Sequence, residues 1–184
     1  MKVSPAQGRL LISKPFLQDP NFWRSVVLLA EHGEEGTVGF VLNRKLDYTI
    51  NDLLEDFPPF QVPVYLGGPV GTDTLHYFHS IPALADSSFE ILPGIYQGTS
   101  FDQLKVLIMQ GVVSPDEIRF FVGYSGWGAK QLEGEIKEKS WIVANPPENF
   151  SLDIPAEKLW RLVLQSMGGK YRVLSHYPED PVSN

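Results

Sequence analysis

The feature that most constrains this chain is an almost continuously apolar run, EIRFFVGY (117–124). It feeds three glycines and then a polar helix, reading FVGYSGWGAKQLEGEIKEKSW over residues 121–141. A strand that is apolar at odd and even positions alike has no face to offer water, so it belongs in a sheet covered on both sides. The glycines permit positive φ and a turn. Ser125 is placed to cap a helix predicted over roughly 129–139, and Trp127 is predicted to fold back over the core. Leu132 and Ile136 face inward, while Glu133–Lys137 and Glu135–Lys139 form i,i+4 pairs worth about 0.2–0.5 kcal/mol each.

The same elbow approaches three functional motifs and completes none. A dinucleotide fingerprint needs G-x-G-x-x-G, but Gln131 stands at its third glycine and bulky Trp127 where a pyrophosphate must come close. Nothing matches a Walker loop. A nucleophile elbow needs G-x-S-x-G, and Gly123-Tyr124-Ser125-Gly126-Trp127 fails at its last position. The functional reading left to the elbow is a small anion or peptide carboxylate held by the free N–H groups at the helix start.

Elsewhere the order of elements is rich in hairpins. GRLLIS (8–13) reads as a strand, and SVVLLAEH (25–32) and TVGFVLN (37–43) read as a hairpin around GEEG. TINDLLEDF (49–57) is a short helix capped by Thr49 and stopped by Pro58-Pro59. VPVYLGGPV, TLHYFHSI and GIYQGT supply further strands, and WIVA (141–144) another. Ser100 and Gln103 form a capping box in front of a helix with Phe101, Leu104, Leu107 and Ile108 on its core face. The last helix carries Pro155 in its first turn and a stripe of Leu159, Leu162, Val163 and Met167, and ends at Gly168-Gly169. Hairpins outnumber helix crossovers, which implies an α+β domain with a mixed, mostly antiparallel sheet. No linker divides the chain, so residues 1–184 are expected to form a single domain, with 1–7 and 177–184 as loose tails.

Charge and composition narrow the class further. Net charge is −7 over 184 residues, and residues 51–184 carry nine basic against seventeen acidic side chains. Non-specific nucleic-acid binding depends on Lys and Arg neutralising phosphates; here the one basic patch that could assemble would draw on Arg9, Lys14, Arg24, Arg44 and Lys45. There is no cysteine, the first ten residues lack the apolar core of a signal peptide, and VVLLA (26–30) is far too short to span a bilayer. A soluble, cytoplasmic protein without membrane contact is expected.

Candidate chemistry is sparse. His76 and His79 sit in a strand-like run, which places them on opposite faces rather than on one metal. A triad of Ser125, His32 and a carboxylate needs geometry that a linear sequence does not supply. Gly67-Gly68-Pro69 reads as a tight turn whose backbone can approach a ligand or another strand. No cofactor, metal site or catalytic set is assigned.

Several stretches together resemble the AlgH/YqgE family of bacterial proteins: GRLLISKPFLQDPNFWRSVVLLAEHGEEGTVGFVLNR (8–44), YLGGPV (65–70), LHYFHS (75–80) and FFVGYSGWGAKQLEGEIKEKSW up to Trp141. The pairing of D-P-x-F with H-x-x-x-G-x-x-G-x-x-x-N-R, followed by G-Y-x-G-W-x-x-x-Q-L-E-x-E, is distinctive. The resemblance implies a branched sheet curled into a pseudo-barrel, flanked by about four helices. It also implies a role in transcriptional regulation, and it offers no catalytic residues to carry over.

On this reading the protein is a non-enzymatic binding or regulatory module. Its pocket is expected to gather Asn43, Gly67, Gly68, Pro69, Ser125, Trp127 and Gln131, for a small anion, a peptide or a protein partner. The alternatives are a regulator acting directly on DNA, which the negative charge and the absence of a basic recognition helix oppose, and a small-molecule hydrolase using Ser125.

Overall fold

The apolar run continues further as a strand than its glycines suggest. In the computed structural model, which describes residues 3–15, 17 and 19–177, strand β9 spans Ile118–Gly128 and carries the whole GYSGWG segment within it. Ahead of it come β1 (Leu10–Ser13), β2 (Val26–Gly33), β3 (Gly36–Val41), β4 (Lys45–Thr49) and helix α1 (Ile50–Leu53). Then follow β5 (Pro63–Leu66), β6 (Val70–His79), β7 (Ser88–Leu92), β8 (Ile95–Gly98) and α2 (Phe101–Met109). After β9 lie α3 (Gln131–Lys137), β10 (Trp141–Ala144), α4 (Ala156–Ser166) and α5 (Gly169–Leu174). Among the described residues no helix is long and apolar enough to cross a membrane.

The ten strands form one mixed, mostly antiparallel sheet curled into a half-barrel, in the order β10-β1-β2-β3-β9-β6-β8-β7, with β4 and β5 as a side branch. The branch point is β9. Its first half pairs in parallel with β5 (Val64↔Phe120 to Leu66↔Val122) and antiparallel with β6, and its last residues pair with β3 (Gly39↔Ser125 to Gly36↔Gly128). Gly67 makes the handover between them: its N–H donates to Val122 O at 2.9 Å and its carbonyl accepts from Val41 N at 2.8 Å.

That handover needs backbone to lie on backbone. Gly123 turns at φ +65°, a conformation side chains strain to adopt, and a Cβ there would stand 2.7 Å from Gly68 O. Cβ atoms on Gly67 and Gly68 would run into the carbonyls of Gly123 and Tyr124. The Gly67-Gly68 segment thus packs directly on β9, as a turn meeting another strand. Ser125 is correspondingly no helix cap. It is fully buried inside β9, where its Oγ donates to Gly67 O at 3.0 Å, and Lys130 with φ 61° opens α3 instead.

Both faces of the central strands are covered, as the unbroken hydrophobicity required. Phe121 joins Leu10, Leu28, Phe40, Phe78 and the α4 residues Leu159, Trp160, Val163 and Leu164 on one side. Phe120 and Ile118 join Tyr77, Val64, Leu104 and Ile108 on the other. A third cluster sets Leu11, Val27, Leu29 and Val41 under Trp127, Leu132 and Trp141. Arg119 interrupts the run without exposing it: it is 4% exposed, and its guanidinium donates to the carbonyls of Leu42, Leu152 and Ile154 and lies 4.4 Å over the Tyr65 ring. Burial lowers its pKa, opposed by the charges of Tyr65 and Asp153. A buried cation satisfied by three carbonyls ties the 152–154 loop to β3 and β9.

Several local expectations change. Gln103 does not close a capping box with Ser100; Ser100 Oγ accepts from Gln103 N, but the glutamine oxygen accepts from Ser87 Oγ. The reciprocal box forms at α1, where Asp52 accepts from the Thr49 backbone and hydroxyl. In α4 the buried stripe is Ala156, Leu159, Trp160, Val163 and Leu164, and Leu162 is 36% exposed because it points a third of a turn away. Gly168 ends α4 as read, yet α5 follows at once, making five α-helices among the described residues where about four were expected.

His76 and His79 do project to opposite faces of β6. His76 sits against Phe40 and Tyr124, and burial lowers its pKa. His79 is fully buried and stacks on Tyr96 at 5.6 Å. Its Nδ1 accepts from Ile81 N at 3.2 Å, so Nε2 carries the proton and donates to Ser88 Oγ at 2.8 Å.

Two outcomes follow from this frame. Gly123→Ala should cost roughly 2–4 kcal/mol in urea unfolding, since it combines positive-φ strain with a backbone clash. For His79, desolvation lowers the pKa to about 4. The unfolded chain therefore binds a proton that the native state refuses as pH falls from about 6.5 toward 4, and stability drops across that window. Wild type should lose roughly 2 kcal/mol through this histidine alone by pH 5, and His79→Gln should remove that part of the slope in paired urea titrations at pH 5 and 7.

Candidate functional site

The two tryptophans that bracket α3 define the candidate site. Trp127 ends β9 and Trp141 opens β10, so the helix between them returns the chain across the sheet with Leu132 buried beneath. The rings meet at 6.1 Å and 80°, and Phe22 packs on both, at 6.2 Å on Trp127 and 5.2 Å on Trp141. Buried indoles need an acceptor for their N–H groups. Both find the same one: Glu135 Oε2 accepts from Trp127 Nε1 at 3.0 Å and from Trp141 Nε1 at 2.8 Å. Gln131 donates to Glu135 Oε1 at 3.1 Å and accepts from Gly128 N at 2.9 Å.

Glu135 is therefore no partner of Lys139. Glu133 likewise turns away from Lys137 and lies 3.7 Å from His32 Nε2, whose Nδ1 contacts Thr37 Oγ1 at 2.7 Å. Glu135 leaves its expected i,i+4 pair because two desolvated indole donors offer a carboxylate more than a solvated lysine does.

A cleft of about 250 Å³ opens over this arrangement, with Asp19, Phe22, Trp127, Gln131, Glu135 and Trp141 among its lining residues and Pro69 and Ser140 at its margin. Of the residues expected to share a pocket, Trp127 and Gln131 line it together with Pro69. Gly67, Gly68 and Ser125 lie beneath, spent on the strand crossing. Asn43 lies outside it: Oδ1 accepts from Val26 N at 2.9 Å and Nδ2 donates to Arg24 O at 2.8 Å. It thereby braces Arg24, a non-glycine residue at φ 46°.

Arg44 acts beside it. Its guanidinium donates to Pro20 O at 3.0 Å, Asn21 O at 3.1 Å and Trp23 O at 3.4 Å, and Asp19 Oδ1 accepts from Asn21 N at 2.8 Å. The Asn43-Arg44 pair thus holds the DPNFWR loop (19–24) in a shape that delivers Asp19 and Phe22 to the cleft. Arg24, 8% exposed, is thereby lost to the basic patch that composition allowed.

Phe22 and Glu135 stand in the D-P-x-F and Q-L-E-x-E motifs, which do not say that the two residues meet. What could have found Glu135 is the pair of tryptophans flanking a helix, each requiring an acceptor, with Gln131 one turn before it on the same face.

A family model described as AlgH-like matches residues 10–172. The chain belongs to the AlgH-like family. UPF0301 proteins from Cytophaga hutchinsonii and Chlorobium limicola are 45% and 41% identical to it, covering 97% and 96% of this chain and 98% and 95% of theirs. The solution structure of the AlgH protein from Pseudomonas aeruginosa superimposes with a TM-score of 0.72 at 30% identity, covering 97% of this chain and 98% of that one. The crystal structure of protein DIP2367 from Corynebacterium diphtheriae shares the fold, with a TM-score of 0.78 at 21% identity over 96% of this chain and 95% of that one. In this AlgH-like chain the D-P-x-F, N-R, G-W and Q-L-E-x-E elements are one physical unit: a loop, its two anchors, and the indole–carboxylate lock it faces.

Glu135→Ala removes the acceptor from two buried indole donors at once. It should lower stability by about 2–4 kcal/mol, because each orphaned donor costs about 1–3 kcal/mol less what solvent recovers. Both Nε1 protons should lose hydrogen-exchange protection in NMR spectra.

Proposed function

We propose that this protein is a non-enzymatic, cytoplasmic binding module whose ligand presents a cationic group, an amine or guanidinium, to the cleft over Trp127 and Trp141. The observation that carries the reading is the lining itself. Among the described residues, two carboxylates, Asp19 and Glu135, and no basic side chain line the cleft, beside aromatic rings and the hydrogen-bonding groups of Gln131 and Ser140. Aromatic walls with carboxylates suit a cation through charge and cation–π attraction, and they repel the small anion that the glycine elbow suggested. The N–H of Gly128, at the end of β9, is already taken by Gln131.

The hydrolase alternative loses its nucleophile. Ser125 is buried with its hydroxyl donating to a backbone carbonyl, and its hydrogen-bond partner is not a histidine. Direct action on DNA is opposed by the net charge of −7 and by the burial of Arg24. Any influence on transcription is accordingly assigned to protein partners.

Titration with N-acetyl-arginine methylamide, read through the indole N–H resonances of Trp127 and Trp141, should give saturable shifts. Asp19→Asn should weaken the response by at least about tenfold, or 1.4 kcal/mol, with an unchanged melting temperature. Acetate and phosphate should give none. Shifts that saturate with phosphate, or with a DNA duplex at low salt, would replace this reading.

A further inference from the structure

A second depression begins where the first one ends, at Trp141, and differs from it in size and sign. It is a groove of about 1580 Å³, floored by β10 and the Asn145–Glu148 segment. Ile136 stands on one side, and Leu162 and Met167 of α4 on the other. β10 is a terminal strand of the sheet: its one strand neighbour among the described residues is β1, in the register Leu10↔Ala144 to Ser13↔Trp141. In an antiparallel pair alternate residues turn their N–H and C=O groups away from the partner, so the other edge of β10 presents backbone groups along the groove that no strand among the described residues pairs.

The groove's charge identifies what fits. Lys14, Lys139 and Lys170 line it against one carboxylate, Glu148, in a chain whose net charge is −7. Lys139 and Lys170 are exposed, so their charges face solvent and an incoming chain.

We propose that this groove receives an extended acidic segment of a partner protein, which adds as a strand to the free edge of β10. Backbone pairing supplies the alignment, Leu162, Met167 and Ile136 receive alternate apolar side chains, and the lysines select aspartate or glutamate at the others. The groove shares Leu17, Ser140 and Trp141 with the Trp127–Trp141 cleft and carries the opposite charge. It does not depend on that cleft's ligand.

The test uses the full chain and a fluorescein-labelled octapeptide that alternates valine with aspartate or glutamate, followed by anisotropy. Three probes accompany it: the lysine counterpart, a version N-methylated at alternate amides, and a single-stranded oligonucleotide. The acidic peptide should bind saturably and protect the β10 amides from hydrogen exchange. Lys139→Glu/Lys170→Glu should weaken it at least about tenfold, with the melting temperature unchanged. N-methylation should abolish binding. Four results would each overturn the proposal: no binding by the acidic peptide, equal binding by the lysine or N-methylated peptide, displacement by the oligonucleotide, or sedimentation showing that the edge pairs with a second copy of the chain.

Discussion

The contact on which the rest of this fold depends is backbone against backbone, where Gly67-Gly68 crosses β9 at Gly123 to Ser125. Three strands reach β9 within eleven residues, and a sheet can branch so tightly only where side chains are missing from the crossing. Ser125 shows the economy of the arrangement: even its small hydroxyl is turned to Gly67 O. Remove the close approach and β5 loses its route past β3, and with it the separation of the two cores that lie on opposite faces of Phe120 and Phe121.

The tryptophan site is built on the far end of that same strand. β9 delivers Trp127, α3 delivers Glu135 and Gln131, and β10 delivers Trp141, while the 19–24 loop arrives from the other side held by Asn43 and Arg44. A carboxylate receiving two indole N–H groups is fixed in direction before any ligand appears, which is what preorganisation means energetically. The neighbouring groove runs along β10, a terminal strand of the sheet among the described residues. One surface therefore combines a rigid acidic cleft with an adaptable basic trough.

Much of the architecture was legible in the sequence because hydrophobicity without period has few solutions. Phe120 and Phe121 announced a strand buried on both sides, and it is; Val26 to Leu29 announced a hairpin strand, which is buried on both faces as well. The hairpin across GEEG and the cap at Thr49 followed from local chemistry, but the helix expected over 49–57 ends at Leu53, well before Pro58-Pro59. What stayed hidden was decided by partners distant in the chain. Ser125 looks like a cap until Gly67 is brought beside it, and Glu135 looks like a surface residue until two indoles converge on it. Asn43 looks like a ligand-binding amide until Arg24 requires bracing. β4 and β7 were missed for another reason: KLDYT and SFEIL are short and largely unburied, so their hydrophobic pattern is weak. The site's aromatic wall and Gln131 were visible as residue types, but its acidic character was not.

The pairing of β1 with β10 carries a consequence for how the chain is made. Leu10 and Ala144 become neighbours, yet more than a hundred residues are synthesised between them. On the ribosome, the first strand has β2 beside it early and then waits with its other side uncovered until most of the polypeptide has emerged. Long-range closure of this kind is slow, and waiting edges invite strangers. The nascent protein is thus most vulnerable to aggregation late in translation, and chaperone assistance is worth most there.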